Sequence, residues 1–221
     1  TATLKESWLR YYDWTEDAGG DQFTFVDATG RRKTLDFGAL DVVAFVDPGG
    51  FGKNRGGDRA RPAIVVVGST ADGLHIILEP WSERVTYKVA IDQFLFFVRR
   101  YGIRKAFVEV GAQQRVFFDQ IAEKSSKEGL RVLFEEVGTG NKNKDDRILG
   151  LEEPFQRGTI YVGKGSKFLE FKNQYSQFPK SARKDILDAL SMMPSRVRKA
   201  GSSRGEIARR QQAEILNYYA K

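Results

Sequence analysis

Short runs of apolar, mostly β-branched residues recur along the chain, each bounded by glycine, proline or other turn residues. Runs of this kind predict buried strands. The clearest extends from Asp41 to Asp47, where Pro48 and Gly49 follow at once and end the strand. Further runs predict strands at residues 63–67, 74–78, 106–110, 131–134 and 159–162. A glycine turn within residues 23–37 predicts a β-hairpin ahead of them.

The spacing of apolar residues becomes helical between the later strands. Helices are predicted over residues 86–100, 112–127, 148–155, 167–175, 181–193 and 204–219. The first three strands after the hairpin follow one another closely, so the simplest arrangement is an antiparallel meander. The later strands alternate with helices, which is typical of βαβ crossovers and parallel pairing. The sequence therefore predicts an α/β fold with a mixed sheet, three antiparallel strands followed by parallel strands, and helices on both faces.

The chain divides into three segments along its length. Residues 1–40 begin with a stretch rich in aromatic side chains, such as Trp8 and Trp14, and are expected to form a connector and a β-hairpin that pack on the domain. Residues 41–193 carry the predicted sheet and form the core. Residues 194–221 are strongly basic and are expected to form a tail with a final helix.

Composition narrows the possible functions. The net charge of +7 and the isoelectric point of about 9.5 favour a polyanionic partner, with nucleic acid first. The chain has no cysteine, which excludes disulfides, thiolate zinc sites and a cysteine nucleophile. Its one histidine, His75, excludes a multi-histidine metal site and is expected to be structural. Nothing resembles a signal peptide or an apolar membrane span.

Acidic residues stand where the predicted elements end. Asp47 ends the first core strand, Glu109 ends the fourth, and these two strands are expected to be neighbours. Asp185, on the predicted helix 181–193, can complete the cluster, and Asp188 lies one turn further on the same face. Each has an ordinary alternative, since Asp47 can simply begin a turn and the helical pair can be surface charges.

Crowded carboxylates repel one another unless a cation lies between them. Oxygen ligands without cysteine or histidine select Mg²⁺ or Mn²⁺. Two such ions about 4 Å apart can activate a water and stabilise the leaving oxygen of a phosphodiester. Together with the strand order, this placement of acids is the plan of the RNase H-like nuclease fold.

Within that superfamily, the chain resembles the nuclease domain of a viral terminase large subunit, the DNA-packaging motor of tailed phages and herpesviruses. The resemblance covers about residues 41–193, and the order and spacing of its motifs are more specific than any one of them. The matching segments are residues 43–50, 63–67, 108–111, 144–148, 158–162, 178–179 and 184–190.

The resemblance implies site residues. It makes Asp47, Glu109 and Asp185 the metal ligands and catalytic residues, with two ions of Mg²⁺ or Mn²⁺. It adds Asp58, after the first strand, and Asp188 as further metal-binding candidates. The family often has an acidic pair, or a histidine and two acids, where this chain has residues 183–185, Arg-Lys-Asp. The third ligand is therefore open between Asp185 and Asp188.

The resemblance also implies a function. The expected activity is endonucleolytic cutting of concatemeric viral double-stranded DNA, in the host cytoplasm and with no membrane involved. The expected partners are the ATPase domain, the small terminase subunit and the portal. The ATPase is expected upstream of Thr1, because the segment around Lys53 lacks the first glycine and the hydroxyl residue of a Walker loop. The alternatives are a Holliday-junction resolvase or transposase of the same fold, and a non-catalytic DNA-binding or motor-docking module.

Basic residues near the acids are candidates for DNA contact. Lys53, Arg55 and Arg59 follow Asp47 in a glycine-rich stretch and are expected to contact phosphates. Lys144 and Arg147 either contact a phosphate or lie in a solvated loop. The basic tail is either solvated or in contact with DNA or the portal.

Overall fold

The computed structural model describes residues 4–17, 20–49, 61–111, 114–138, 140 and 143–194. Its strands are β1 (Arg10–Asp17), β2 (Gly20–Val26), β3 (Arg32–Asp36), β4 (Asp41–Asp47), β5 (Ala63–Ser69), β6 (His75–Ser82), β7 (Lys105–Glu109), β8 (Leu133–Val137) and β9 (Ile160–Gly163). Its α-helices are α1 (Tyr87–Tyr101), α2 (Arg115–Lys127), α3 (Lys144–Leu149), α4 (Glu152–Gln156), α5 (Leu169–Gln177) and α6 (Asp185–Ser191). Single turns of 3₁₀ helix lie at Glu6–Trp8, Phe37–Ala39 and Ser166–Phe168.

The described strands form one nine-stranded sheet in the order β3-β2-β1-β9-β6-β5-β4-β7-β8. At its centre, β4, β5 and β6 pair as an antiparallel meander. On one side β7 and β8 continue the sheet in parallel with β4, and on the other β9 is parallel to β6. The predicted mixed sheet of antiparallel and parallel strands is therefore confirmed.

The core lies on both faces of β4. Residues 42–47 are all buried, although successive side chains of a strand point to opposite faces. Both faces must therefore be covered, as the uninterrupted apolar run predicted. Helix α6 packs against β4, β5 and β6. Elsewhere Phe94 of α1 and Phe118 of α2 pack against Phe134 of β8.

The segment expected to be a connector contains a strand of the sheet. Strand β1 pairs antiparallel with β2 and parallel with β9, so the predicted hairpin and the residues before it extend the main sheet. Tyr12 is 2% exposed, packs edge-on against Phe23 at 5.3 Å, and donates a hydrogen bond from its hydroxyl to the Ile77 carbonyl at 2.7 Å. Tyr12 and Trp14 alternate with the exposed Asp13 and Thr15, which is the pattern of a half-buried strand that the prediction of a connector overlooked.

Two predicted helices differ from those in the structure. The helix expected over residues 148–155 is two short helices, α3 and α4, separated at Gly150, and the first begins earlier because the Asn143 side chain caps it through the Asp146 amide at 2.8 Å. The helix expected to begin at Ser181 begins at Asp185. The Ser181 hydroxyl instead donates to the Arg183 carbonyl, which closes a local turn. The predicted helix 204–219 lies outside the described residues.

Across the part of the chain that the structure describes, no helix has both the length and the apolar character required to cross a bilayer.

Candidate metal centre

Two carboxylates lie side by side because two parallel strands end together. Strands β4 and β7 are neighbours with Val46 opposite Val108, so Asp47 and Glu109 are the next residues along each strand. Both are buried, with 5% and 7% exposure. Strand ends beside loops are where functional groups collect in α/β sheets, and the sequence predicted this pair correctly as neighbours.

Gly49 holds the Asp47 carboxylate from the loop side. Its amide donates to the Asp47 Oδ1 atom at 2.8 Å. The backbone of Gly49 is left-handed, with φ of +67°, and a Cβ there would lie 2.9 Å from the Arg61 carbonyl carbon. Only glycine meets both demands without strain.

Replacement of Gly49 by alanine is expected to lower the free energy of unfolding by about 1–3 kcal/mol, since it combines a positive φ with a backbone clash. Chemical denaturation measures this value. The matched control is Gly30→Ala, because Gly30 has a φ of +81° but open space around its missing Cβ. An equal effect at the two sites would show that the approach of the Arg61 backbone to Gly49 is unimportant.

Helix α6 brings two further acids to the same end of the sheet. The side chain of Gln174, on α5, is buried and accepts hydrogen bonds from the Ile186 and Leu187 amides at 3.0 Å and 3.4 Å. These contacts occupy amides in the first turn of α6 and fix its orientation over the sheet. Asp188 and Asp185 are then buried, with 4% and 8% exposure.

Asp47, Glu109 and Asp188 each offer an oxygen atom within 4.8 Å of the others. Asp185 is not in this group, although the sequence analysis placed it among the ligands. Its Oδ1 atom accepts a hydrogen bond from the Lys144 ammonium at 2.8 Å. The geometry therefore favours Asp188 over Asp185 as the third candidate ligand.

Two cations of α3 lie against these acids. Besides its bond to Asp185, Lys144 is 3.4 Å from the Asp188 Oδ2 atom. Arg147 donates to both oxygens of Asp188, from Nε at 3.0 Å and from Nη2 at 2.7 Å, and lies 3.6 Å from the Glu109 Oε1 atom. The sequence suggested Lys144 and Arg147 as phosphate contacts or solvated charges; in this structure their partners are the buried carboxylates.

Burial and repulsion between carboxylates raise the pKa values of Asp47 and Glu109. Removal from water is the main cause for Asp47, whose pKa rises to about 6, with Asp188 and Asp185 adding to the rise. Burial and the charge of Asp47 raise the pKa of Glu109 to about 7. Burial alone would lower the pKa of Lys144, but the carboxylates of Asp185 and Asp188 outweigh it and raise that pKa. Among the described residues, four carboxyl groups therefore share this end of the sheet with two cations, Lys144 and Arg147.

These raised pKa values predict how the stability of the metal-free protein depends on pH. A carboxyl group with a raised pKa in the folded state stabilises the fold below its unfolded pKa, and this contribution is lost as pH rises through the folded pKa. For Asp47 and Glu109 the loss falls between the ordinary values of 3.8 and 4.5 and the raised values of about 6 and about 7. In EDTA, the free energy of unfolding of the wild type is expected to fall by about 2–4 kcal/mol as pH rises across this window, relative to that of an Asp47→Asn, Glu109→Gln double variant. Urea denaturation at both ends of the window measures the difference, and parallel pH profiles for the two proteins would contradict the prediction.

The donor set suits a hard divalent cation. All three grouped ligands are carboxylates, which are preferred by Mg²⁺ and Mn²⁺, and a cation among them would relieve their repulsion. Among the described residues, this is the group of acidic or histidine side chains that is close enough to share an ion. His75 lies at the opposite end of the sheet, with its Nδ1 atom 2.9 Å from the Ser69 hydroxyl and its pKa lowered to about 4 by burial, as expected of a structural histidine.

Sequence reasoning missed one residue near the cluster. Tyr87, the first residue of α1, packs edge-on against the buried ring of Phe117 at 4.9 Å. Burial, followed by the charge of Asp47, raises the pKa of its phenol. The residue falls at the start of a helix, where an isolated tyrosine gives no signal. Asp58, Lys53, Arg55, Arg59 and the basic tail from residue 195 onward lie outside the described residues.

Comparison with solved structures finds nuclease domains of phage large terminases. The large terminase nuclease from thermophilic phage G20c, crystallised with bound zinc, is 16% identical; the match covers 89% of this chain and 99% of that one, with a TM-score of 0.52. The large terminase nuclease domain of Thermus phage P74-26 is 14% identical, with 84% and 89% covered and a TM-score of 0.48. A mutant of the large terminase subunit from bacteriophage Sf6, with calcium, is 13% identical, with 69% and 87% covered and a TM-score of 0.46.

Comparison with family models finds no match, and comparison with curated proteins finds no significant one. The similarity to the G20c domain shows that this chain has the fold of a terminase nuclease domain. It confirms the predicted fold class, and it confirms the predicted resemblance at the level of the fold.

Proposed function

We propose that this chain is a metal-dependent DNA endonuclease, the nuclease domain of a terminase large subunit. The observation that supports this most is the group formed by Asp47, Glu109 and Asp188, three buried carboxylates within 4.8 Å of one another at the end of the sheet. A buried group of acids is unfavourable to folding, and clusters of this kind are typical of functional sites. The similarity in fold to the G20c nuclease, which was crystallised with zinc, supports the same function.

The chain's own residues would hold the metal and set the geometry of the reaction. Asp47, Glu109 and Asp188 would be the ligands for Mg²⁺ or Mn²⁺. Asp185 would assist from the start of α6, one turn before Asp188. Two bound ions would supply an activated water and a counter-charge for the departing 3′ oxygen. Gly49 keeps the Asp47 carboxylate in place, and Gln174 keeps α6 seated, so the ligands are organised before any ion binds.

The proposed substrate is concatemeric viral double-stranded DNA. The net charge of +7 favours a polyanion, and phosphate contacts position a duplex without reading its bases. Lys53, Arg55 and Arg59 remain the proposed phosphate contacts near Asp47. The proposed partners are the terminase ATPase domain, the small subunit and the portal, and the proposed setting is the host cytoplasm.

Incubation of supercoiled plasmid with Mn²⁺, with Mg²⁺ and with EDTA tests this proposal. Nicking and linearisation only in the presence of metal are the expected results. Cleavage restricted to four-way junctions would favour a resolvase of the same fold instead. Binding of the plasmid by the protein without any cutting would favour a non-catalytic DNA-binding module.

A further inference from the structure

Arg147 contacts two of the three grouped carboxylates, Asp188 and Glu109. We infer that Arg147 is an internal cation that a bound metal displaces from Asp188, and that its guanidinium then binds a DNA phosphate. This inference rests on the proposed function, because it concerns how the same site is loaded.

The geometry places the guanidinium over two of the three candidate ligands. Arg147 Nε and Nη2 donate hydrogen bonds to the two oxygens of Asp188 at 3.0 Å and 2.7 Å. This bidentate arrangement fixes the plane of the carboxylate. The same Nη2 atom lies 3.6 Å from Glu109. Asp188 is 4% exposed, so bulk water has little access to its oxygens. Any ion that binds Asp188 must therefore share or replace the guanidinium.

Sharing is unfavourable because both groups are cations. In a site with little water, a divalent ion and a guanidinium a few ångströms apart repel each other strongly. The metal carries the larger charge and would bond to the same oxygen atoms that accept from Arg147. Replacement is therefore the favoured outcome, and the lost ion pair lowers the net affinity for metal.

Arg147 lies at the rim of the cluster, so its displaced guanidinium can turn toward solvent. Its side chain retains 23% exposure, compared with 4% for Asp188, so it reaches the cluster from the rim. It belongs to α3, a helix of 6 residues whose main contact is with α6. A rotation of its long side chain toward solvent leaves the core intact. At the rim it would meet the phosphates of a duplex bound over the acids, and guanidinium is well suited to bind them.

Titration calorimetry with Mn²⁺ alone, at a pH above both raised pKa values, tests the first step on the whole chain. Arg147→Gln is expected to bind Mn²⁺ about tenfold more tightly than the wild type, since a competing positive charge is gone. Arg147→Lys keeps the charge but loses the second hydrogen bond, so a smaller gain in affinity is expected. Arg157→Gln is the matched control, because Arg157 pairs with the exposed Glu153 at 3.2 Å, and it is expected to leave the affinity unchanged.

Equal or weaker binding by the glutamine variant would overturn the inference while leaving the proposed function intact. Absence of Mn²⁺ binding in both wild type and variant would overturn the proposed metal centre itself. If the glutamine variant does not fold, as judged by circular dichroism, the lysine variant decides: affinity equal to that of the wild type overturns the inference.

Duplex binding tests the second step. With Ca²⁺ as the probe ion, the dependence of log Kd on log salt is expected to be weaker in Arg147→Gln than in the wild type by about 0.9, the value of one lost phosphate contact. In EDTA the two proteins should show the same dependence, because Arg147 is then held by Asp188. An equal loss in EDTA would mean that Arg147 contacts DNA regardless of metal, and would overturn the exchange.

Discussion

Asp47→Asn is expected to abolish metal-dependent cleavage, with the rate falling by about three orders of magnitude or more, equivalent to about 4 kcal/mol in the barrier. Asparagine has the same shape and keeps an oxygen acceptor for the Gly49 amide, so the loop geometry is preserved. What is lost is the negative charge of one of the three grouped carboxylates. Single-turnover cleavage of a plasmid in Mn²⁺ measures the effect.

The matched control for this variant is Glu153→Gln. Glu153 is an exposed acid that forms a surface ion pair with Arg157, whereas the acids of the cluster are buried. Its replacement is therefore expected to leave the rate unchanged. The Asp47→Asn protein should also be no less stable than the wild type in EDTA, because one buried charge has been removed. Near-wild-type cleavage by Asp47→Asn would exclude a catalytic centre at this end of the sheet.

The two aspartates of α6 are expected to separate clearly in their effects. Asp188→Asn should reduce cleavage by about three orders of magnitude, because Asp188 shares the carboxylate group with Asp47 and Glu109. Asp185→Asn should reduce it by only about 10- to 100-fold, the size of effect typical of residues that support a ligand from behind. The same plasmid assay, run on both variants at saturating Mn²⁺, measures the ratio between them.

Each aspartate variant serves as the control for the other, since both replace a buried aspartate of one short helix by its amide. Calorimetry with Mn²⁺ adds a second measurement: affinity should fall further in Asp188→Asn than in Asp185→Asn. A larger effect at Asp185 in both assays would reverse the assignment of the third ligand and restore the one suggested by family resemblance.

The pairing of Asp47 with Glu109 was predictable because it depends on strand ends and on the order of the elements. Apolar runs locate the strands, Pro48 and the residues after Glu109 end them, and these signals lie within a few residues of each acid. The order of strands and helices along the chain then makes the two strands parallel neighbours. The position of each acid at its strand end follows directly.

The choice between Asp188 and Asp185 was not predictable from the helix pattern. The two residues lie one turn apart on the same face, so periodicity treats them alike. What separates them is how α6 packs on the sheet, and that depends on the hydrogen bonds that the amides of its first turn donate to the Gln174 side chain. A polar residue on a different helix gives no sign in the sequence that it performs this task.

The contacts of Lys144 and Arg147 with the acids could not be predicted, for a similar reason. Arg147 and Asp188 are 41 residues apart, and nothing near either one indicates that they meet. Read locally, Lys144 and Arg147 belong to a polar stretch, which led to the expectation of solvent or phosphate partners. Their contacts with the acids follow only from the packing of α3 on α6.

A crystal soaked in Mn²⁺ is the most direct test of a metal centre at this end of the sheet, because anomalous scattering locates the ion without any assumption about activity. An anomalous peak is expected within about 2–2.6 Å of oxygens of Asp47, Glu109 and Asp188. In the same crystal, the Arg147 guanidinium is expected no longer to contact Asp188. Soaked crystals with no peak at this end of the sheet, or with peaks only on exposed carboxylates elsewhere, would show that these three residues do not form a metal site.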